Sequence, residues 1–269
     1  MIHFGSFAED CRTIRQISPV IHNITNYVAM SISANALLAI GASPIMSSEA
    51  EEMEEIVELS SALTVNLGCL ERKQIEAMHI AAKAALNLHK PWVLDPVGAG
   101  ASRLRTETAL ELISRYKPSV IRGNASEIMS LAGTAARQRG VDSAEESRIA
   151  SVHAISLARK YSCIVSVSGP TDYITDGNEI LSISNGHPLM PSVTAMGCTA
   201  SAITAAFLAV QDDALEAAAS AMALMGLAGE QAAAASQGPG SFAVNFIDTL
   251  ACLDPVQAQK NLRYGQEQA

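Results

Sequence analysis

The chain has 269 residues, enough for one large domain or two small ones. Twenty-seven acidic side chains against 18 basic ones leave a net charge of -9, which argues against a duplex-DNA or anionic-membrane surface, because phosphate binding normally shows a basic footprint. Hydrophobic residues make up 49% and charged ones 17%, below the ~25% usual for soluble domains, so disorder is excluded and a sizeable core is expected.

Sparse charge also implies that some surface is covered elsewhere, between subunits. In chain order, Asn23-Ile-Thr-Asn26 precedes a helix expected to run to Leu38, with Gly41 as its stop. Thr25 and Asn26 are the candidate caps. His22 is a candidate acid or base, a hydrogen-bonded structural histidine being the plainer reading. Residues 44–47 read as a strand ending near Met46, a methionine that suits either core or an apolar ring pocket. Residues 49–61 follow as a helix with acids in its first turn, where the dipole favours them.

Residues 63–66 read as a strand ending at Gly68, 74–88 as a helix, and 92–95 as a buried strand halted by Pro96. Two more strands follow, 120–122 stopped by Gly123 and 163–168 stopped by Gly169. Strands alternating with helices imply a mostly parallel sheet with helices on both faces. Residues 172–184 then hold two strand-like pieces around Asp176-Gly177, a hairpin signal. Alanine-rich helices are expected over 198–210, 214–235 and 242–253, and the polar residues 257–269 read as a frayed end.

No linker or repeat marks a boundary, so a single domain over residues 1–269 is expected. The longest apolar run, 200–210, is too short for a bilayer, which needs ~20 residues. Glu9, Asp10 and Arg12 interrupt any signal-peptide core. Five cysteines without a C-x-x-C pair suggest no disulfide framework, and a reducing cytoplasm is the simplest compartment.

In open α/β sheets, ligands bind beyond the carboxyl ends of the strands. Asp95 ends an apolar strand there. It either holds a hydrated magnesium ion, which takes one or two carboxylates plus waters and phosphates, or caps the next loop. Asn124 with Glu127 three residues on forms a capping pattern, and Glu127 is alternatively a second magnesium-orienting carboxylate. Arg122 cannot neutralise, so it is a phosphate clamp or a surface ion pair.

Residues 194–197 enter a long apolar helix and present backbone N–H groups, an anion site needing no positive side chain. Net negative charge is then no obstacle to a nucleotide. Cys198 in the first turn feels a dipole that favours thiolate, or packs as a small buried residue. Gly238-Pro-Gly-Ser-Phe242 is a rigid turn, either a connection or a pocket wall. The sequence holds no zinc-spaced His/Cys cluster, no G-x-S-x-G elbow and no Walker A lysine. Gly98 and Gly100 lack the rest of a dinucleotide fingerprint.

Taken in order, several segments resemble the hydroxyethylthiazole kinase family. They are Asn23-Ile-Thr-Asn26, Gly41-Ala-Ser-Pro44, Leu94-Asp-Pro-Val-Gly98 and the run from Ile121 through Glu127 to Met129. Thr175-Asp-Gly177, Met196-Gly-Cys198, and Glu230 with the Gly238 turn complete the set, which spans about residues 15 to 255. The resemblance implies a ribokinase-like three-layer α/β/α fold without a separate lid domain. It implies transfer of the ATP γ-phosphoryl group to the primary alcohol of hydroxyethylthiazole in thiamine salvage.

The same resemblance implies a homotrimer with active sites at subunit boundaries. By motif match, Met46, Ala195 and Asn26 contact the thiazole; Arg122, Ser168 and Gly197 contact ATP; and Asp95 and Glu127 arrange Mg2+. Cys198 stands where other ribokinase-like enzymes keep a catalytic aspartate. The family's turn often reads Gly-Thr-Gly-Cys, whereas Ala195-Met196-Gly197-Cys198 stands here, adding a methyl and removing a hydroxyl. A kinase of another alcohol, such as hydroxymethylpyrimidine or a sugar, is the alternative within the fold. A nicotinamide-nucleotide hydrate dehydratase is the alternative of another class, although that enzyme keeps an aspartate where Cys198 stands. A non-catalytic thiazole- or nucleotide-binding protein would be expected to lose Asp95, Glu127 or the helix-terminal turn.

Overall fold

A computed structural model describes residues 6–134 and 143–269. The chain opens with α1 (Phe7–Ile17), β1 (Val20–Ile24), α2 (Met30–Ile40) and β2 (Ser43–Met46). It continues through α3 (Met53–Leu59), β3 (Ala62–Asn66), α4 (Arg72–Asn87), β4 (Trp92–Asp95), α5 (Arg103–Tyr116) and β5 (Val120–Asn124). After α6 (Ala125–Leu131) and α7 (Ser143–Tyr161) come β6 (Ile164–Ser168), β7 (Asp172–Thr175) and β8 (Glu179–Ile183). The chain closes with α8 (Met196–Leu208), α9 (Ala214–Ala234), α10 (Pro239–Cys252), α11 (Pro255–Gln259) and β9 (Tyr264–Gln268).

All the described strands join one sheet in the order β2-β1-β3-β4-β5-β6-β7-β8-β9. Pairing is parallel from β2 to β6 and antiparallel from β6 through β9. Side-chain alternation along each strand splits the core in two. Val93 faces one side with Phe7, Leu37, Phe207 and Phe246, under α1, α2, α8, α9 and α10. Trp92 and Leu94 face the other, with Met78, Leu112 and Leu157, under α3 to α7. The result is the three-layer α/β/α arrangement that the strand and helix patterns predict.

Alanine explains how α8 sits so deep. From Thr199 to Leu208 every residue of α8 is buried, a pattern reserved for a helix covered on all sides. Methyl side chains let it approach the sheet, α2 and α9 together.

Three expectations need correction. The helix read over 49–61 is a 3-10 turn, Ala50–Glu52, followed by the shorter α3. The helix after Asn26 begins one turn later, with Ala29 at its cap position; the Asn26 side chain instead accepts from the Val28 and Ala29 amides. The end read as frayed folds into α11 and β9, and Gly265 of β9 lies opposite Ser182 of β8. A polar strand holds there because ladder hydrogen bonds at a sheet edge need no apolar side chains. Among the described residues, no helix is long and apolar enough to cross a membrane.

Candidate active site

The carboxyl ends of β4, β5 and β6 and the start of α8 open onto one cavity of about 820 Å³. Asp95, Arg122, Glu127, Ser168, Gly197 and Cys198 all line it. Asp95 and Ser168 end β4 and β6, Arg122 lies in the middle of β5, Glu127 sits in the first turn of α6, and Gly197 and Cys198 open α8.

Asp95 is 2% exposed. Its Oδ2 accepts from Asn66 Nδ2 at 2.7 Å and from Ser201 Oγ at 2.8 Å. Burial pushes its carboxyl up to about 6; the Arg122 charge opposes this, the Glu127 charge adds to it, and the two hydrogen bonds oppose it. Asn66 is itself held, its Oδ1 accepting from Asn26 Nδ2 and the Gly68 amide, each at 2.9 Å. Asn26 Nδ2 also lies 3.5 Å from Cys198 Sγ. A polar chain therefore runs from the first strand's loop to Asp95 and to the cysteine.

Glu127 serves two neighbours at once. Its Oε2 accepts from the Asn124 amide at 2.8 Å while Asn124 Oδ1 accepts from the Glu127 amide at 2.9 Å, which completes a capping box on α6. Its Oε1 accepts from the Gly98 amide at 2.9 Å. The capping role and the site role are thus compatible, because a carboxylate has lone pairs for both.

Arg122 is not a surface ion pair. It is 7% exposed, and Nη1 donates to the Gly197 carbonyl at 3.1 Å. Its buried Nε has no partner, which leaves a donor beside the turn that an anionic oxygen can satisfy. A Cβ on Gly197 would lie 3.0 Å from the Arg122 Nη1, so a side chain there would press on the guanidinium.

The helix entered by residues 194–197 starts at Met196. Its first intrahelical bond runs from the Thr199 amide to the Ala195 carbonyl at 2.9 Å. The amides of Met196, Gly197 and Cys198 therefore have no acceptor within the helix and point toward its open end. Ala195 adopts φ +64°, in the left-handed region that glycine enters freely. The half-buried Cys198 departs from the thiolate expectation: burial raises its pKa first and the nearby Asp95 charge raises it further, outweighing the Asn26 and Arg122 contributions.

Ser168 ends β6, and its Oγ donates to the Gly123 carbonyl at 3.4 Å. Met46 stands apart. It ends β2, the edge strand, three strands from β4, and is not among the cavity's lining residues. His22 is also remote from the chemistry: it is fully buried in β1, with Nε2 on the Ser47 carbonyl at 3.1 Å.

Three residues escaped the sequence reading: Asn66 and Ser201, which hold Asp95, and Asp172, which lines the cavity. Asn66 sits at a strand end, the right signal, but its partners come from 29 and 40 residues away. Ser201 lies three residues after Cys198, on the same helical face. Asp172, opening β7, accepts from the Gly169 amide at 3.0 Å, and burial of its carboxyl pushes it up to about 6.

Among the described residues, no group of three His, Cys, Asp or Glu side chains is placed to hold a metal ion. The pair Asp95 and Glu127 fits an ion that keeps most of its waters and takes the rest of its ligands from phosphate, as magnesium does.

The sequence signature of the hydroxyethylthiazole kinase family matches residues 11–255. A protein named hydroxyethylthiazole kinase from Brachyspira hyodysenteriae is 54% identical over 243 residues, covering 90% of this chain and 92% of that one. The solved structure of hydroxyethylthiazole kinase from Pyrococcus horikoshii is 38% identical, with a TM-score of 0.90 over 97% of this chain and 98% of that one. A ribokinase-like superfamily protein from Enterococcus faecalis, 16% identical, shares the fold at a TM-score of 0.63 over 97% of this chain and 91% of that one. Sequence signature, overall identity and structure agree: the chain belongs to the hydroxyethylthiazole kinase family.

Proposed function

We propose that the chain transfers the γ-phosphoryl group of ATP to the primary hydroxyl of 4-methyl-5-(2-hydroxyethyl)thiazole, a step of thiamine salvage. The observation that carries the site assignment is the meeting of the open α8 turn with Arg122 and two carboxylates across one cavity. Family membership supplies the substrate class.

Phosphoryl transfer is mostly positioning and charge neutralisation. The amides of Met196, Gly197 and Cys198 and the Arg122 guanidinium face the transferring oxygens. Ser168 contacts the nucleotide. Asp95 and Glu127 would hold a hydrated magnesium ion, which neutralises charge on the phosphates. The substrate oxygen bonds to the γ-phosphorus as the bond to the bridging oxygen breaks, ADP leaves, and the hydroxyl proton is released. A loose transition state needs little base, so the neutral Cys198 thiol positions the hydroxyl, with Asn26 beside it.

The proposal includes a homotrimer with each site at a subunit boundary. Met46 at the edge strand then reaches a neighbour's cavity and, with Ala195, lines the thiazole pocket. Tyr27 and Val28, on the segment after β1, are 63% and 57% exposed, and an interface would cover them. Five free cysteines suit a reducing cytoplasm.

A coupled assay of ADP release tests the reading, run with a panel of alcohols, with and without magnesium. Release with hydroxyethylthiazole alone, dependent on magnesium, supports it. Equal release with pyrimidine alcohols overturns the substrate assignment.

A further inference from the structure

One wall of the cavity is the loop between β8 and α8. Asn185, Gly186, His187, Pro188, Met190 and Pro191 all line the cavity from it. The loop then runs through the 3-10 turn Met190–Ser192 into Ala195 and the open turn of α8. Its placement therefore sets both the wall and the entry to the phosphate site.

The loop rests on α9, and the fit is built for it. A Cβ on Gly226 would lie 2.5 Å from the Asn185 carbonyl oxygen, and one on Gly229 would lie 2.5 Å from Met190 Sδ. At Gly226 the contact is with loop backbone, so only glycine admits the loop at this depth; at Gly229 a side chain would have to displace the Met190 thioether. Glu230, one turn after Gly226, then grips it. Its Oε1 accepts from the Gly186 amide at 2.9 Å, and Asn185 Nδ2 donates to the same carboxylate at 3.2 Å.

The far side of the grip comes from the chain's last segment. Arg263, just before β9, pairs with Glu230, donates from its backbone amide to Asn185 Oδ1 at 2.7 Å, and donates from Nη2 to the Ser184 carbonyl at 2.8 Å. Asn185 Nδ2 also donates to the Asn261 carbonyl at 3.1 Å. Burial alone would raise the Glu230 carboxyl. Hydrogen bonds from Gly186, Arg263 and Asn185 outweigh it and hold the group below the ordinary carboxylate value.

An ion pair this exposed, with side chains 56% and 26% accessible, adds little stability. Its geometry points elsewhere. We infer that Glu230 and Arg263 are positioning residues for the nucleotide: together they hold the 185–191 wall against α9, so that the ATP pocket and the phosphate turn are pre-formed. Neither residue lines the cavity, so both act through the loop. This inference rests on the kinase reading of the site. Pre-formed sites avoid the ordering cost that a loose loop imposes on binding.

The test is steady-state kinetics of Glu230→Ala, Glu230→Gln, Arg263→Ala and the Glu230→Ala/Arg263→Ala double variant, with melting temperatures measured in parallel. Glu230→Ala and Arg263→Ala should each raise KM for ATP about tenfold, the size expected for losing hydrogen bonds to a charged acceptor. KM for the thiazole alcohol and kcat at saturating ATP should stay within about twofold. The double variant should match the worse single one, since both act on one contact. Glu230→Gln keeps an acceptor for the Gly186 amide and should recover part of the loss.

An unchanged KM for ATP in the folded variants overturns the inference alone. A parallel fall in kcat, both KM values and melting temperature also overturns it, in favour of a general structural role. Absence of ATP binding by the wild-type chain, read by calorimetry, would remove the kinase reading and this inference with it.

Discussion

Asn66 Nδ2 donates to Asp95 Oδ2 at 2.7 Å, a side-chain bond between the paired ends of β3 and β4 beside the cavity. It presents Asp95 as an ionised carboxylate in a place where burial opposes ionisation.

That opposition has a stability consequence. The Asp95 pKa rises from 3.8 unfolded to about 6 folded, so the folded state holds the proton more tightly. Its contribution is fully present below 3.8 and is lost as pH rises through 6. Asp95→Asn should therefore stabilise the metal-free chain at pH 7.5 by about 1–3 kcal/mol, while lowering kcat by about a hundredfold or more. Urea unfolding in chelator and a kcat measurement check both halves. A destabilised variant would contradict the burial account.

Cys198 titrates above its ordinary range, so it is a neutral thiol through pH 8. In the metal-free chain the Asp95 carboxyl should titrate near 6 by NMR, and the pH profile of kcat/KM should show no limb from Cys198 up to pH 8. Cys198→Asp places a stronger base beside the alcohol and should retain or raise turnover. A correctly folded Cys198→Asp protein without activity would show that the thiol does chemistry that positioning does not describe.

Ala195 holds φ +64° at the cap of α8, a conformation that disfavours a side chain by about 1 kcal/mol. Ala195→Gly should raise Tm by about 2 °C through relief of that strain. The added room beside the turn should also widen tolerance for bulkier alcohols in the substrate panel. A lower Tm would mean that the methyl packs favourably enough to outweigh the backbone.

His22 carries the opposite sign to Asp95. Burial lowers its pKa from 6.5 to about 4, against the Ser47 hydrogen bond and the Glu52 charge, which raise it. The stability it contributes is present above 6.5 and is lost as pH falls through 4. Unfolding free energy should drop between pH 6.5 and 4, and His22→Leu should flatten that slope. An unchanged slope in the variant would assign acid sensitivity to other groups.

The sheet was legible where an apolar run ends on a chemistry-bearing residue. Residues 92–95 form β4 as read, because Trp-Val-Leu has no polar face and Pro96 ends the run. The alanine-rich helices were legible too, since α9 follows the read span to within one residue. β9 was not, because Tyr-Gly-Gln-Glu-Gln has no apolar alternation and owes its place to backbone pairing with β8. At the site, Asp95, Glu127, Arg122 and Cys198 converge on one cavity as the strand ends imply. The Asn26–Asn66–Asp95 chain was illegible because it is made by contacts distant in sequence. Met46, at the edge strand, lies away from that cavity within one chain.

The most direct measurement is a crystal structure of the chain with a non-hydrolysable ATP analogue, magnesium and the thiazole alcohol. The account predicts the terminal phosphate within hydrogen-bond distance of the Gly197 and Cys198 amides, with Arg122 on its flank and the alcohol oxygen in line beside Cys198. A phosphate bound elsewhere, with the start of α8 closed off by packed side chains, would contradict it.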